Sequence, residues 1–131
     1  MSDYAAYIKY VNETNPFLQH NHMQAVSVSE DHAVVQAQMT AELRNSMGGV
    51  HAGLMFSMAE IAAGILVRSN GSKQVTLDTT FRYLRNSVTD GIIEAEVQRV
   101  ARASWKSVSQ STGNPITLEL ESRFISLSSL L

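Results

Sequence analysis

The chain has 131 residues, enough for one domain with its own core, and its hydrophobic share of 44% is ordinary for a soluble globular protein. A charged share of only 17% predicts that a partner covers part of the surface, while the formal net charge of −2 gives no overall attraction to nucleic acid or to a membrane surface. The absence of cysteine excludes a disulfide framework, a thiolate nucleophile and a cysteine-bound metal.

The N-terminal segment predicts a short helix. It has neither the basic region nor the long apolar stretch of a secretory signal, so we expect a cytoplasmic location. The pair Asn15-Pro16 ends the helix, because the residue before a proline disfavours the α conformation. Four apolar or aromatic residues lie at helical spacing after Ser2, the candidate cap: Tyr4, Tyr7, Ile8 and Val11.

Alternating apolar residues predict strands on both sides of a central apolar segment. Apolar residues occupy every second position from Ala33 to Met39, which is the period of a half-buried strand. Ile92 to Ala101 is predicted as a strand entered through a turn at Asp90-Gly91, and Gly113-Asn114-Pro115 marks a second turn. The same period recurs in two further groups: Val75, Leu77, Phe81 and Tyr83, and Ile116, Leu118, Leu120 and Phe124.

The central segment from His51 to Val67 is apolar nearly all the way round a helix. A helix of this kind is buried, not laid on a surface. It is too short for a membrane span, at about 25 Å, and it carries Glu60 near its middle. We therefore expect an α+β fold in which one antiparallel sheet wraps around one long buried helix.

The loop from Asn45 to Gly53 precedes this helix and contains three glycines. Glycine lets the backbone approach a ligand closely, and the first turn of a helix offers unpaired N–H groups to an oxygen that carries negative charge. Glu60 is an ionisable group within an apolar helix, where a charge needs a partner or a function. The loop and Glu60 together predict an active site.

The pattern Asn-x5-His-x-Gly-x6-Glu, from Asn45 to Glu60 with Gly48-Gly49 inside it, resembles the hotdog-fold acyl-CoA thioesterases. The PaaI-like branch is the nearest match, and the strand Val75-Thr76-Leu77-Asp78 is part of the resemblance. The resemblance implies a hotdog subunit that forms a homodimer with a continuous sheet, and often a tetramer. It also implies an acyl-CoA substrate, with no metal and no organic cofactor beyond the CoA portion of that substrate.

The resemblance implies a role for each matching residue. Glu60 is the nucleophile or general base. The backbone N–H groups of Ala52 and Gly53 polarise the thioester carbonyl. Asn45 helps to place the reacting groups, and Thr76 helps to hold the attacking water.

Two departures from the PaaI-like pattern bear on the substrate. The sequence His51-Ala52-Gly53 replaces the usual His-Gly-Gly, and the alanine methyl group narrows the approach of a bulky acyl thioester. Glu60 replaces the aspartate that is commonest in that branch, as in the 4-hydroxybenzoyl-CoA thioesterases. His51 and the loop residue Gly49 are further candidates for contact with the substrate.

The spacing of the helix residues adds a constraint. Ala52 and Glu60 are eight residues apart, about 12 Å along a helix axis, whereas the oxyanion donors and the acid must act on one carbonyl group. One helix can hardly supply both. We therefore expect the amides to come from one subunit and Glu60 from the other.

Structural alternatives exist for four of these residues. Glu60 could be an interface carboxylate satisfied by a hydroxyl group, an arginine or a helix N-terminus. Asn45 could form an Asx turn within the loop, and Thr76 is an ordinary strand residue. His51 lies half a turn round the helix from Glu60, so it is better read as a capping or loop-ordering residue than as half of a dyad.

Coenzyme A needs positive charge near its phosphates. Arg82 and Arg85 end one predicted strand, Arg99 and Arg102 end another, and Lys106 follows. If those strand ends adjoin, the five basic residues gather at one rim, with Arg85 and Arg102 as the candidate CoA contacts. The alternative is that they are solvated strand ends.

No metal site is predicted, because the four histidines show no acid-supported ligand cluster. They are His20, His22, His32 and His51.

The sequence thus predicts hydrolysis of acyl-CoA thioesters. One alternative is hydration or dehydration of an acyl thioester, although the proline-rich histidine loop typical of the dehydratases is missing. The other is a non-catalytic hotdog protein that binds acyl-CoA or lipid. The acyl group, the thioester carrier and the choice between dimer and tetramer are left open by the sequence.

Overall fold

The computed structural model describes residues 3–85, 91–101, 104–111 and 117–126. None of its helices there has the length and apolar character needed to cross a membrane. Its elements in chain order are α1 (Tyr4–Thr14), α2 (Pro16–His20), β1 (Met23–Val28), β2 (His32–Gln38), a 3-10 turn (Ala41–Leu43), α3 (Ala52–Arg68), β3 (Gln74–Arg85), β4 (Ile92–Ala101), β5 (Ser104–Ser111) and β6 (Thr117–Ser126).

Helix α1 begins one residue later than its predicted cap implies. The cap is Asp3, whose side-chain oxygen accepts a hydrogen bond of 3.0 Å from the Ala6 N–H, so the prediction of Ser2 was wrong. The predicted end before Asn15-Pro16 is confirmed. Helix α2 was not predicted. It starts at Pro16, where the first turn needs no N–H, and the Asn15 side chain caps it.

The six strands form one antiparallel sheet in the order β1-β2-β4-β5-β6-β3, and this sheet wraps around α3. The buried face of α3 packs on β2 and β4, and its small residues let the strands approach closely. The structure confirms the predicted α+β architecture and the strands β2, β3, β4 and β6. The core includes Leu54, Met55, Met58, Ala59, Ala62 and Ala63 of the helix and Val35, Ile93 and Val97 of the sheet.

Two strands escaped prediction because their sequences lack a regular period. In β1 the register shifts between Ala25 and Ser27, which interrupts the alternation of buried residues. The sequence of β5, SWKSVSQS, has too few apolar residues to show a period. The turn predicted at Gly113-Asn114-Pro115 lies outside the described residues.

Strand β3 contains a bulge that corrects one prediction. Its pairing with β6 shifts between Thr76 and Asp78, so Leu77 is an extra residue in the ladder. The expectation that Val75, Leu77, Phe81 and Tyr83 share one half-buried face was therefore wrong, and Leu77 is 51% exposed. A bulge shifts the alternation by one residue, which directs Thr76 before it and Phe81 after it toward α3.

The two edges of the sheet differ. At the β1 edge, the Asn12 side chain of α1 binds both backbone groups of Ala25: it donates to the carbonyl at 2.9 Å and accepts from the N–H at 2.8 Å. Strand β3 forms the other edge and is 12 residues long. Long strand edges are prone to pair with a further strand.

Candidate active site

Glu60 and Thr76 meet where β3 crosses the middle of α3. The Thr76 hydroxyl donates a hydrogen bond to Oε1 of Glu60, which is half-buried. The bulge at Leu77 sets the direction of the Thr76 side chain, and the pairing of β3 with β6 fixes its height along the helix. The structure thus brings together the helix acid and the strand hydroxyl that the sequence analysis placed in one site.

A cleft of about 450 Å³ opens beside this pair. Its walls combine aromatic and aliphatic side chains with hydroxyl groups, a setting in which a carboxylate and a water molecule can act on an apolar substrate. Thr79 also lines the cleft, and its hydroxyl is held 3.0 Å from the buried Ser122 hydroxyl. Other lining residues are Phe17, Phe56, Ser57 and Ile61.

The loop before α3 is organised by Asn45. Its Oδ1 accepts hydrogen bonds from the N–H groups of Met47 at 3.0 Å and Gly49 at 2.9 Å. Gly48 has φ +82, in the left-handed region that glycine adopts without strain. These contacts fit the Asx-turn interpretation of Asn45. Direct action of Asn45 or Gly49 on a substrate stays a prediction.

The backbone N–H groups of Ala52 and Gly53, which are predicted to polarise the thioester carbonyl, differ in whether they already have a hydrogen-bond acceptor. His51 is the N-cap, and its Nδ1 accepts a hydrogen bond of 2.8 Å from the Gly53 N–H. The Ala52 N–H has no acceptor within the described residues, and Ala52 is exposed. The Ala52 amide is therefore the one available to a ligand in this conformation.

Tyr83 contributes to the same helix end and was missed by the site prediction. Its hydroxyl donates to the Ala52 carbonyl oxygen at 3.1 Å, which ties β3 to the first residue of α3. Burial raises the pKa of the Tyr83 hydroxyl, so it is a neutral donor. Its ring packs against Phe81, with ring centres 4.5 Å apart, and Phe81 packs against Phe56. The sequence showed that Phe81 and Tyr83 alternate along a strand, but it did not show that they contact the start of α3.

The start of α3 and the acid at its middle border different clefts. A second cleft of about 310 Å³ is lined by His51 and Gly53, whereas Glu60 lines the first one. Phe17 and Ser57 border both. Ala52 and Glu60 are eight residues apart on one helix, about 12 Å along its axis. Whether they act in one site or in two stays a prediction.

The strand registers of the described residues separate the basic positions Arg85 and Lys106. Through β6, Lys106 is level with Thr80, and Arg99 lies at the same end of the sheet. Arg85 is five residues farther along β3 than Thr80, about 17 Å away. Within one subunit, the condition that these two strand ends adjoin is therefore not met. Arg102 and the side chain of Arg85 lie outside the described part of the chain, so their contact with CoA stays a prediction.

The histidines of the described segments are not grouped for metal binding. No set of three His, Asp or Glu side chains there is placed to hold a metal ion. His32 instead pairs with Glu96 on the outer side of β2 and β4, at 2.8 Å.

The chain resembles known proteins in both sequence and fold. The family model DUF4442, a domain of unknown function, matches residues 5–122. No curated protein is detectably similar in sequence. The PaaI protein of the phenylacetic acid degradation operon of Escherichia coli is 19% identical, with 94% of this chain and 92% of that chain covered and a TM-score of 0.79.

Two further solved structures have a similar fold. The conserved protein PA5202 from Pseudomonas aeruginosa is 24% identical, with 86% of this chain and 94% of that chain covered and a TM-score of 0.75. A hypothetical thioesterase from Streptococcus pneumoniae TIGR4, solved with coenzyme A, is 17% identical, with coverages of 80% and 88% and a TM-score of 0.70. The chain thus has the hotdog fold of the PaaI-like structures and belongs to the DUF4442 family.

Proposed function

We propose that this protein hydrolyses acyl-CoA thioesters to a free acid and CoA. The observation that carries the proposal is the contact between Thr76 and Glu60 at the cleft between α3 and β3. A helix carboxylate held by a strand hydroxyl, beside aromatic and aliphatic walls, suits attack on the carbonyl of an apolar acyl group. The CoA bound to the Streptococcus pneumoniae neighbour supports the choice of carrier.

Two routes lead from this geometry to the same products. As a general base, Glu60 takes a proton from a water molecule while the water oxygen attacks the carbonyl carbon. The carbonyl π electrons move onto oxygen, which gives a tetrahedral intermediate. When this intermediate collapses, the C=O bond re-forms, the C–S bond breaks, and the leaving thiolate takes the proton from Glu60. As a nucleophile, Glu60 attacks the carbon itself, releases the thiolate and forms an anhydride that water then hydrolyses. In both routes Thr76 orients the carboxylate.

The developing oxyanion needs donors that point at it before the reaction begins. The Ala52 N–H supplies one such donor, and Tyr83 fixes the position of its residue through the carbonyl oxygen. Since Ala52 and Glu60 of one helix are too far apart, we propose that the site combines Glu60 of one subunit with Ala52 of another. Strand β3 lies at the open edge and presents the exposed side chain of Leu77, which fits pairing of two β3 strands in a homodimer.

Release of free thiol from a panel of acyl-CoA substrates tests the proposal. Straight-chain and aromatic acyl groups are offered to the wild-type chain and to Glu60→Gln. Thiol release that depends on Glu60 supports a thioesterase. Binding of acyl-CoA without thiol release contradicts it and favours a binding protein, whereas a change in the acyl group without thiol release favours a hydratase. The expected cytoplasmic location stays a prediction.

A further inference from the structure

The cleft of Glu60 extends along α3 toward the C-terminal end of the helix. Ile65 and Arg68 line its far part, and the same two residues line a neighbouring cleft of about 490 Å³ beside α1. Asn15 and the Tyr10 side chain complete this far end, where Tyr10 is 62% exposed. The apolar path that begins at Glu60 therefore ends at a cationic side chain.

Gly64 determines where the Arg68 guanidinium lies. A Cβ atom at Gly64 would come within 2.5 Å of one Arg68 Nη atom and 3.1 Å of Cζ, so the guanidinium is folded back onto the helix at the level of Gly64. Glycine is disfavoured in the interior of a helix relative to alanine. Its presence at position 64 allows the positive charge to lie against α3 and toward Glu60.

The Arg68 guanidinium has N–H donors that remain available for a ligand. One Nη donates to the carbonyl oxygen of Gln74 at 3.3 Å. Among the residues that the structure describes, no carboxylate forms an ion pair with Arg68. The Arg68 charge does act on Tyr7: burial raises the pKa of the Tyr7 hydroxyl and the neighbouring guanidinium lowers it. A guanidinium has five N–H donors in a planar fork that matches a carboxylate.

We propose that Arg68 binds an anionic group at the far end of the acyl chain, so that the preferred substrates are monothioesters of dicarboxylic acids with roughly five or six carbons. This assignment rests on the proposed thioesterase function. Glu60 and Gly64 are four residues apart, about 6 Å along the helix axis. An acyl chain of that length places its thioester carbonyl at Glu60 and its terminal carboxylate on Arg68.

A CoA phosphate is the other anion that could reach a cleft of this kind. The pantetheine arm between the sulfur atom and the pyrophosphate is much longer than the distance between the levels of Glu60 and Gly64. An extended CoA whose thioester lies at Glu60 would therefore carry its phosphates well past Arg68. The acyl carboxylate fits the distance better.

The ratio of kcat/KM for adipyl-CoA to that for hexanoyl-CoA tests the assignment. The two acyl groups have six carbons each, and only the first ends in a carboxylate. The wild-type chain is expected to favour adipyl-CoA, and Arg68→Gln is expected to lower the ratio by about 10- to 100-fold. Lys73→Gln is the matched control, because Lys73 is an exposed cation that lines neither cleft. A merely structural role for Arg68 would lower both kcat/KM values alike and leave the ratio unchanged.

Gly64→Ala provides a second, independent variant. The new methyl group displaces the flexible end of Arg68, so the ratio should fall, whereas the melting temperature should hold or rise because alanine is the better helix former. A Gly64→Ala variant that is folded and keeps the wild-type preference for adipyl-CoA contradicts the proposal, as does an Arg68→Gln variant with an unchanged ratio.

Two further measurements separate the outcomes. With N-acetylcysteamine thioesters, which carry no phosphate, the same fall in the adipyl to hexanoyl ratio is expected. If Arg68→Gln instead lowers kcat/KM only for CoA substrates, and equally for adipyl-CoA and hexanoyl-CoA, Arg68 binds a CoA phosphate and the proposal is overturned. If the wild-type chain releases no thiol from any thioester, the proposed function fails. In that case, calorimetry with S-(5-carboxypentyl)-CoA and S-hexyl-CoA, two thioethers that cannot be hydrolysed, tests whether Arg68 binds the terminal carboxylate. Equal affinities for the two compounds overturn the proposed anion site.

Discussion

The hydroxyl of Thr76 donates to the carboxylate of Glu60 across sixteen residues of sequence, and this contact joins the edge strand β3 to the middle of the buried helix α3. The acid is thereby oriented by a neighbour on a different element. The site also becomes sensitive to the bulge at Leu77, because that bulge directs Thr76 toward the helix.

Replacing Glu60 by glutamine should lower kcat by at least about 10²-fold, because the amide can neither accept the proton of water nor attack the carbonyl. Thiol release from the best acyl-CoA of the panel measures the loss, and thermal unfolding checks that the chain is folded. Glu13→Gln is the control: Glu13 is an exposed acid whose carboxylate forms an ion pair with Lys9. Turnover near the wild-type value in a folded Glu60→Gln variant would exclude Glu60 as the catalytic acid.

Thr76→Val should reduce kcat by about 10-fold, since it removes one hydrogen bond to a charged group without removing the group itself. Thr76→Ser keeps the hydroxyl and should restore most of the activity. Thr80→Val, at an exposed position on the same strand, is the matched control. If Thr76→Val has wild-type kinetics, Thr76 is an ordinary strand residue.

Ala52→Pro should lower kcat by about 10²-fold or more, because it removes the free N–H expected to hold the oxyanion. Proline is favoured at the first position of a helix, and His51 before it has φ −64 and ψ 132, an extended conformation compatible with a following proline. The helix should therefore form. Ala52→Gly keeps the N–H and is the control. Equal activities of the proline and glycine variants would remove Ala52 from the site.

A mixture of Glu60→Gln and Ala52→Pro chains tests whether the site is shared. In a mixed dimer, one site receives the intact acid of the proline chain and the intact amide of the glutamine chain, and the other site collects both defects. Random exchange of equal amounts should restore about a quarter of the wild-type activity. Native mass spectrometry reports the exchange. An exchanged mixture that stays inactive would show that each subunit carries a complete site.

Asn12→Ala should destabilise the fold by about 1–3 kcal/mol, because the Ala25 N–H and carbonyl lose their partner at the edge of β1. Urea unfolding measures the change. The control is Asn21→Ala, where the lost amide makes one local hydrogen bond to Phe17. If Asn12→Ala lowers the free energy of unfolding no more than Asn21→Ala does, water replaces the two hydrogen bonds of Asn12 to Ala25 without loss of stability.

The main elements of the fold could be predicted because their signals are local. The apolar run of α3 and the alternation in β4 are visible in consecutive residues, and Glu60 stands out as the acid in that run. Strand β5 carries no such signal. The face of β3 could not be predicted correctly, because a single extra residue, Leu77, reverses which side chains point inward, and this depends on the register with β6.

The site could be predicted only in part. The pairing of Glu60 with Thr76 followed from the resemblance to thioesterases, not from any spacing in the chain. The contact of Tyr83 with the Ala52 carbonyl links residues 31 positions apart, and it depends on the crossing of strand and helix. The difference between the bound amide of Gly53 and the free amide of Ala52 depends on the rotamer of His51. Contacts of these kinds are tertiary and leave no local pattern.

The two hydrogen bonds between Asn12 and Ala25 also bear on how further strands could add to the sheet. A sheet with two open edges can add neighbours on both sides and grow into a fibre, whereas a sheet with one open edge can only pair once and stop. Asn12 of α1 occupies the N–H and the carbonyl of Ala25 in the middle of β1, which disfavours strand addition there and favours the β3 edge. Assembly by pairing of edge strands would then stop at two subunits. Loss of the Asn12 side chain would expose the β1 edge and allow further subunits to add.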